Sequence, residues 1–258
     1  MISNNFLKNK LNNGDTVIGT WCIIPSAVNA EIISLTGVDF IIIDNEHGSI
    51  SFETATSMIM ACELNKVSPI YRPPNVNQGD ITKALDLGFH GIQVPNITSR
   101  QQLDEILKYA KFPPSGNRGF SPFVRSAGYT NLNSENYFNT ANSNTLVAIN
   151  IEGIDAIENV EQFLDVEELD IIFLGAFDIS KVLGTPGNMN NPELLSQMEH
   201  LTKLIRQAGK HAGTITTSKE KITQYIEFGM DYIVHMVDCE MLRLAYLEVV
   251  THFKKNIR

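Results

Sequence analysis

The chain has 258 residues, 43% of them hydrophobic and 19% charged, and a net charge of −9. That composition supports a large buried core. The acidity argues against nucleic acid or an anionic membrane surface as a partner, while a few local arginines leave room for a small anionic substrate. Three scattered cysteines without CxxC spacing, no apolar run near the ~20 residues of a membrane helix and no signal-peptide core in residues 1–13 make a soluble, reduced, cytoplasmic protein the expectation.

In chain order, residues 4–13 read as a short polar helix and 17–24 as a first strand. A helix from Pro25-Ser26 through Leu35 is ended by Gly37. Phe40, Ile41, Ile42 and Ile43 then run straight into Asp44, Glu46, His47 and Gly48. A strand apolar on both faces is buried in a parallel sheet, and polar groups at its C-terminal end sit where α/β folds place ligands. A carboxylate and an imidazole emerging there form either an acid/base site or a polar plug that ties down a loop. A helix follows over 51–64, then a strand over 68–72 closed by Pro73-Pro74, a helix over 80–87 closed by Gly88, a strand over 91–95 and a helix over 100–111. Residues 113–143, rich in Asn, Ser, Gly and Pro but carrying Phe120, Phe123, Tyr129, Tyr137 and Phe138, read as a long irregular segment with a functional role. Strands over 145–152, 170–175, 211–216 and 232–237 alternate with helices over 155–164, from Asp178, over 192–207, 219–228 and 240–255.

Eight strands alternating with helices predict an α/β fold, a single (β/α)8 TIM barrel spanning residues 1–258, since such barrels need about 250 residues. A doubly wound sheet is the competing fold, but no GxGxxG follows the first strand.

A barrel puts its site at the strand ends. Those ends offer Trp21; Asp44, Glu46 and His47; Arg72; Gln93 and Asn96; Asn150 and Glu152; Asp178, just past Gly175; Thr214 and Thr216; His235 and Asp238. Glu152 and Asp178, from neighbouring strands, form a two-carboxylate set of the kind that holds Mg²⁺ or Mn²⁺, or else two first-turn helix carboxylates. The Arg72 guanidinium suits a carboxylate or enolate oxygen, or an ion pair with Asp44 or Glu46. His47 suits a general base at neutral pH. Asp86, in the apolar run Ala84-Leu85-Asp86-Leu87, is a candidate partner for it or a helix-end ion pair. Gly175-Ala176-Phe177-Asp178 opens a helix whose first amides can face an anion. No lysine falls at a strand end, which argues against Schiff-base chemistry.

Asp44-x-Glu46-His47-Gly48, Arg72-Pro73-Pro74, Val94-Pro95, Pro113-Pro114-x-Gly116-x-Arg118-Gly119, Ile151-Glu152 and Gly175-x-x-Asp178-Ile179-Ser180 stand in order along most of the chain. Together they resemble the HpcH/HpaI class II pyruvate aldolases of the phosphoenolpyruvate/pyruvate barrel superfamily. The resemblance implies a divalent metal on Glu152 and Asp178, and a 2-keto acid and an aldehyde as substrates. It implies Arg72 on the enolate oxygen and His47, oriented by Asp86, as proton carrier. Asp44 and Trp21 would support the substrate, with the backbone of Gly175, Ala176 and Phe177 around its carboxylate. It further implies a homo-oligomer, a hexamer or dimer, with the last helix swapped between copies. Three positions differ from the usual family pattern: Asn150 stands where Gln is common, Ala176 where Pro is usual, and Phe177 where a small residue is often found. These positions, with Arg125 as a lining residue for a different acceptor, carry the alternative of a citrate-forming enzyme that condenses oxaloacetate with an acyl-CoA.

Overall fold

Eight parallel strands close on themselves in the computed structural model, which describes residues 5–130 and 134–257. They are β1 (Val17–Cys22), β2 (Phe40–Asp44), β3 (Ser68–Arg72), β4 (Gly91–Val94), β5 (Leu146–Ile151), β6 (Ile171–Leu174), β7 (His211–Thr216) and β8 (Tyr232–Val237). Each strand pairs with the next and β8 returns to β1, so the expected TIM barrel is the observed one. Asn4, the first residue of the expected leading helix, lies outside the described residues.

The period of two along each strand divides the core into two layers. Phe40, Ile42, Ile70, Ala148, Phe173, Tyr232 and Val234 fill the inside of the barrel. Ile41, Ile43, Tyr71, Ile92, Ile149 and Ile172 point outward and pack under the helices, for example against Met58, Ile59 and Cys62 of the helix Phe52–Leu64. The inward parity does not stop at the strand ends. Residues 40, 42 and 44 share one side of β2, and 68, 70 and 72 share one side of β3, so Asp44 and Arg72 leave the core aimed at the barrel mouth, paired in register. The opposite end is stoppered by the helix Phe6–Asn12, whose Leu7 and Leu11 enter the inner layer.

Local chemistry starts the helices that return the chain. Ser26, Ser51, Asn77, Ser99 and Ser218 each accept, through the side chain, the amide hydrogen of the residue three places on. The Asn77 cap also explains why the next helix begins at Gln78, two residues before the expected start. Asn159 separates the expected helix over 155–164 into Ile154–Glu158 and Glu161–Leu164.

The 113–143 segment departs furthest from expectation. It contains a 3₁₀ turn, Arg125–Ala127, and a full helix, Ser134–Asn144. Asn, Ser and Thr are poor helix formers, so propensity hides this helix. Tertiary packing holds it: Phe112, Phe120, Tyr137 and Phe138 form a satellite core, with Phe112 and Phe138 stacked at 4.5 Å between centroids. The last helix, Asp238–Asn256, stands away from the barrel, and every residue from 241 to 257 is exposed. Among the described residues no helix is long and apolar enough to cross a membrane.

Candidate active site

The mouth at the C-terminal ends of the strands holds a cavity of about 380 Å³ lined by Trp21, Asp44, His47, Arg72, Asn150, Glu152, Gly175, Phe177 and Asp178. An apolar side of Ile23, Phe173, Ile215 and Val237 completes it, with Cys239 and Glu240 at the rim.

Arg72 is the hub. Its Nε and one Nη donate to the two oxygens of Asp44 at 2.7 and 2.6 Å, and the other Nη lies 2.9 Å from Glu46. The guanidinium carbon also sits over the Trp21 ring, 3.9 Å from its centroid. A bidentate fork plus a stacked face locks the cation in one orientation. Both alternatives weighed for Arg72 therefore meet in one side chain: it is ion-paired, and its remaining N–H groups border the cavity. Asp44 extends the lock to the loop, because its Oδ1 also accepts the amides of Glu46 and His47. Gly48 follows because a Cβ there would fall 2.3 Å from the Asp44 carbonyl oxygen. The loop is tied down by Asp44 and also borders the cavity.

Glu152 and Asp178 line the same cavity, as expected. Burial is the main cause that raises the Glu152 carboxyl above its ordinary range. The charges of Glu46 and Asp178 add to it, and the Asn150 hydrogen bond opposes it. Burial likewise raises Glu46 against the pull of Arg72. A half-buried Glu152 and an exposed Asp178 facing one cavity, with Glu46 nearby, suit a divalent cation, which would relieve their repulsion. Among the described residues no group of three or more His, Cys, Asp or Glu side chains converges as a closed metal cage. Two carboxylates with open positions remain for substrate oxygens and water, so the donor set fits Mg²⁺ or Mn²⁺.

Comparisons with known proteins give the family. Residues 18–243 match the family model HpcH/HpaI aldolase/citrate lyase. The chain belongs to that family. It is an enzyme of the lyase class. A 2-keto-3-deoxy-L-rhamnonate aldolase of Escherichia coli K12 is 29% identical over 257 residues, covering 99% of this chain and 95% of the relative. Among solved structures, the citrate synthase SbnG is 30% identical with a TM-score of 0.86 over 99% of both chains. An HpcH/HpaI aldolase from Desulfitobacterium hafniense DCB-2 is 25% identical with a TM-score of 0.92 over 98% of both.

Within this HpcH/HpaI chain, three expected site residues, Asp86, Arg125 and Ala176, do not line the cavity. The Asp86 carboxylate accepts from Arg118 at 2.6 Å and does not line the cavity. It is carried in the last turn of the helix Gln78–Leu87, and the buried arginine of the 113–143 segment reaches it there. His47 is not oriented by Asp86: its side chain is 71% exposed, and its Nε2 lies 3.8 Å from the Glu46 carboxylate. Arg125 is turned toward Glu63 and the Leu87 carbonyl, docking the 3₁₀ turn on the outer helices. Gly88 leaves room for it, since a Cβ there would meet its Nη1 at 2.6 Å. Ala176 is buried without lining the cavity, and the Gly175 amide donates to the Ile151 carbonyl, so that amide is not available to a substrate. Phe177, 40% exposed, does line the cavity. Sequence reasoning missed Phe173, Ile215 and Val237. Inward parity marks the first two. Val237 is turned by the register shift between β1 and β8, where Met236 has a φ of 60°.

Proposed function

We propose that the chain is a class II aldolase that cleaves or forms 2-keto-4-hydroxy acids through a pyruvate enolate, with Mg²⁺ or Mn²⁺ held by Glu152 and Asp178. The observation that carries this reading is the convergence of a locked Arg72, an exposed His47 and a crowded carboxylate pair in one cavity. When bound, the divalent cation supplies Lewis-acid polarisation of the keto oxygen. Arg72, already held by Asp44 and Trp21, presents its remaining N–H groups to the oxygen where negative charge develops, and such preorganised donors need no rearrangement during reaction. Among the described residues His47 is the only imidazole lining the cavity, and it takes the proton of the aldol hydroxyl in cleavage, returning it in synthesis. Phe177, Ile215 and Val237 keep water from the enolate side and favour an acceptor with an apolar body.

A second reading, condensation of oxaloacetate with an acyl-CoA to a citrate, is favoured by the likeness to SbnG. Pyruvate in D₂O separates the two. Metal-dependent deuteration of its methyl group, abolished by EDTA, supports the aldolase. Absence of exchange with every metal, together with thiol release from acetyl-CoA and oxaloacetate, replaces it with the condensing enzyme. In the aldolase, His47→Ala slows retro-aldol cleavage by about 10²-fold; an unchanged rate removes His47 from the proton transfer.

The proposal includes a homo-oligomer in the cytoplasm. The three cysteines are free thiols, in keeping with a reducing compartment. Met241, Leu242, Leu244, Leu247, Val250 and Phe253 stand exposed on the last helix. Val28, Ile32, Met60 and Leu64 stand exposed on the packed helix pair Ala27–Ser34 and Phe52–Leu64. Apolar surface on that scale is usual where a second copy covers it.

A further inference from the structure

A hydrogen-bonded chain of buried side chains crosses the barrel and ends on Glu152. The Tyr232 hydroxyl on β8 donates to Gln93 Oε1 on β4 at 3.0 Å. Gln93 Nε2 donates to Asn150 Oδ1 on β5 at 2.8 Å, and Asn150 Nδ2 donates to Glu152 Oε1 at 2.9 Å. In the closed order β8 and β4 lie on opposite sides, so the phenol spans the barrel interior. Tyr232, Gln93 and Asn150 are all inaccessible to solvent.

The direction of every bond is dictated from both ends. An ionised carboxylate only accepts, so Asn150 must turn its NH₂ toward Glu152. Its carbonyl oxygen then needs a donor, which Gln93 supplies, and the Gln93 oxygen then faces the phenol. Reversing either amide would leave a buried hydroxyl hydrogen unpaired or set a carbonyl oxygen against the carboxylate. Burial raises the Tyr232 phenol well above its ordinary value, so it keeps the proton it donates. Its ring is clamped by stacking on Phe40 at 4.2 Å, and Gly213 is required beneath it, since a Cβ there would lie 2.6 Å from the ring. At the other end a Cβ on Gly175 would fall 2.7 Å from Glu152 Cγ, so the carboxylate stem is confined as well.

We propose that Tyr232, Gln93 and Asn150 are positioning residues that hold one oxygen of Glu152 so that the carboxylate faces the cavity as a metal ligand. The inference rests on the metal reading above. Amides pass no proton in this arrangement; the relay orients.

The test is Mn²⁺ titration of the full-length protein by calorimetry, with thermal melts of each variant. Tyr232→Phe and Gln93→Met are expected to weaken Mn²⁺ binding by about 10-fold or more, as loss of groups that orient a metal ligand does. The double variant Tyr232→Phe with Gln93→Met removes the phenol together with the oxygen it served. It is expected to melt no lower than Gln93→Met alone while its Mn²⁺ binding stays weak; a purely structural role would move stability and affinity together. Mn²⁺ affinity within about twofold of wild type in both single variants would overturn the relay. Glu152→Gln separates the relay from the metal site. If it abolishes Mn²⁺ binding while the relay variants bind normally, the relay fails and the metal reading stands. If wild type binds no Mn²⁺, or Glu152→Gln binds it equally well, both fall.

Discussion

Gly175 decides, by lacking one carbon, where Glu152 can stand. With a Cβ 2.7 Å from Glu152 Cγ, Gly175→Ala must push the carboxylate stem or the β6 end aside. Displacement of a reacting group by about 1 Å costs on the order of 10²-fold in rate. Gly175→Ala is therefore expected to keep the circular dichroism of the wild type and lose about that much kcat; full activity in a folded Gly175→Ala protein would show that Glu152 position is unimportant. Arg72 is a second case of one residue carrying several constraints, since Asp44, Glu46 and Trp21 all converge on its guanidinium. Its type and position were legible in the sequence as an anion clamp after a strand. Its stacking on Trp21 was not, because that contact joins β1 to β3 across the inside of the barrel.

At the scale of elements, the 113–143 segment shows how packing overrides propensity. Its Ser134–Asn144 helix is tied to the end of the helix Arg100–Ala110 by Lys111, whose buried Nζ donates to the carbonyls of Asn142 and Thr145 at 2.8 and 2.7 Å. Burial, with the nearby charge of Lys8 in second place, pushes the Lys111 amine down to about 8 from its ordinary value of 10.5. Between those values the unfolded chain binds more protons at this site than the folded one, so the Lys111 contribution to stability grows as pH rises from about 8 to about 10.5. Urea melts at the two ends of that window, compared with Lys111→Met, measure it. The wild type gains stability relative to the variant at the higher pH, and equal slopes for the two proteins would refute the assignment.

For the whole molecule, barrel closure gathers groups as far apart in sequence as Trp21 and Glu240 around one mouth, and among the described residues nothing covers the last helix from Met241 onward. The exposed Leu247 is placed among Leu244, Val250 and the other apolar residues of that helix. Leu247→Glu should shift the protein to a smaller species in light scattering coupled to size exclusion, with the barrel still folded. A monomeric wild type would remove the assembly proposal.

The residues alone determined the fold class and the mouth. Eight apolar runs with turn signals between them admit few other architectures, and inward parity carried Asp44, Arg72 and Glu152 to the end where Asp178 opens the helix after β6. Tertiary structure decided which polar groups touch. Sequence reasoning sent Asp86 to His47 and Arg125 to the cavity, whereas the fold pairs Asp86 with Arg118 and Arg125 with Glu63. It also joined Tyr232, Gln93, Asn150 and Glu152 in one chain of hydrogen bonds. Period and propensity act over a few residues, and they fix the face on which a side chain emerges. Partners come from strands and helices brought together only when the barrel closes, and no local pattern encodes that meeting.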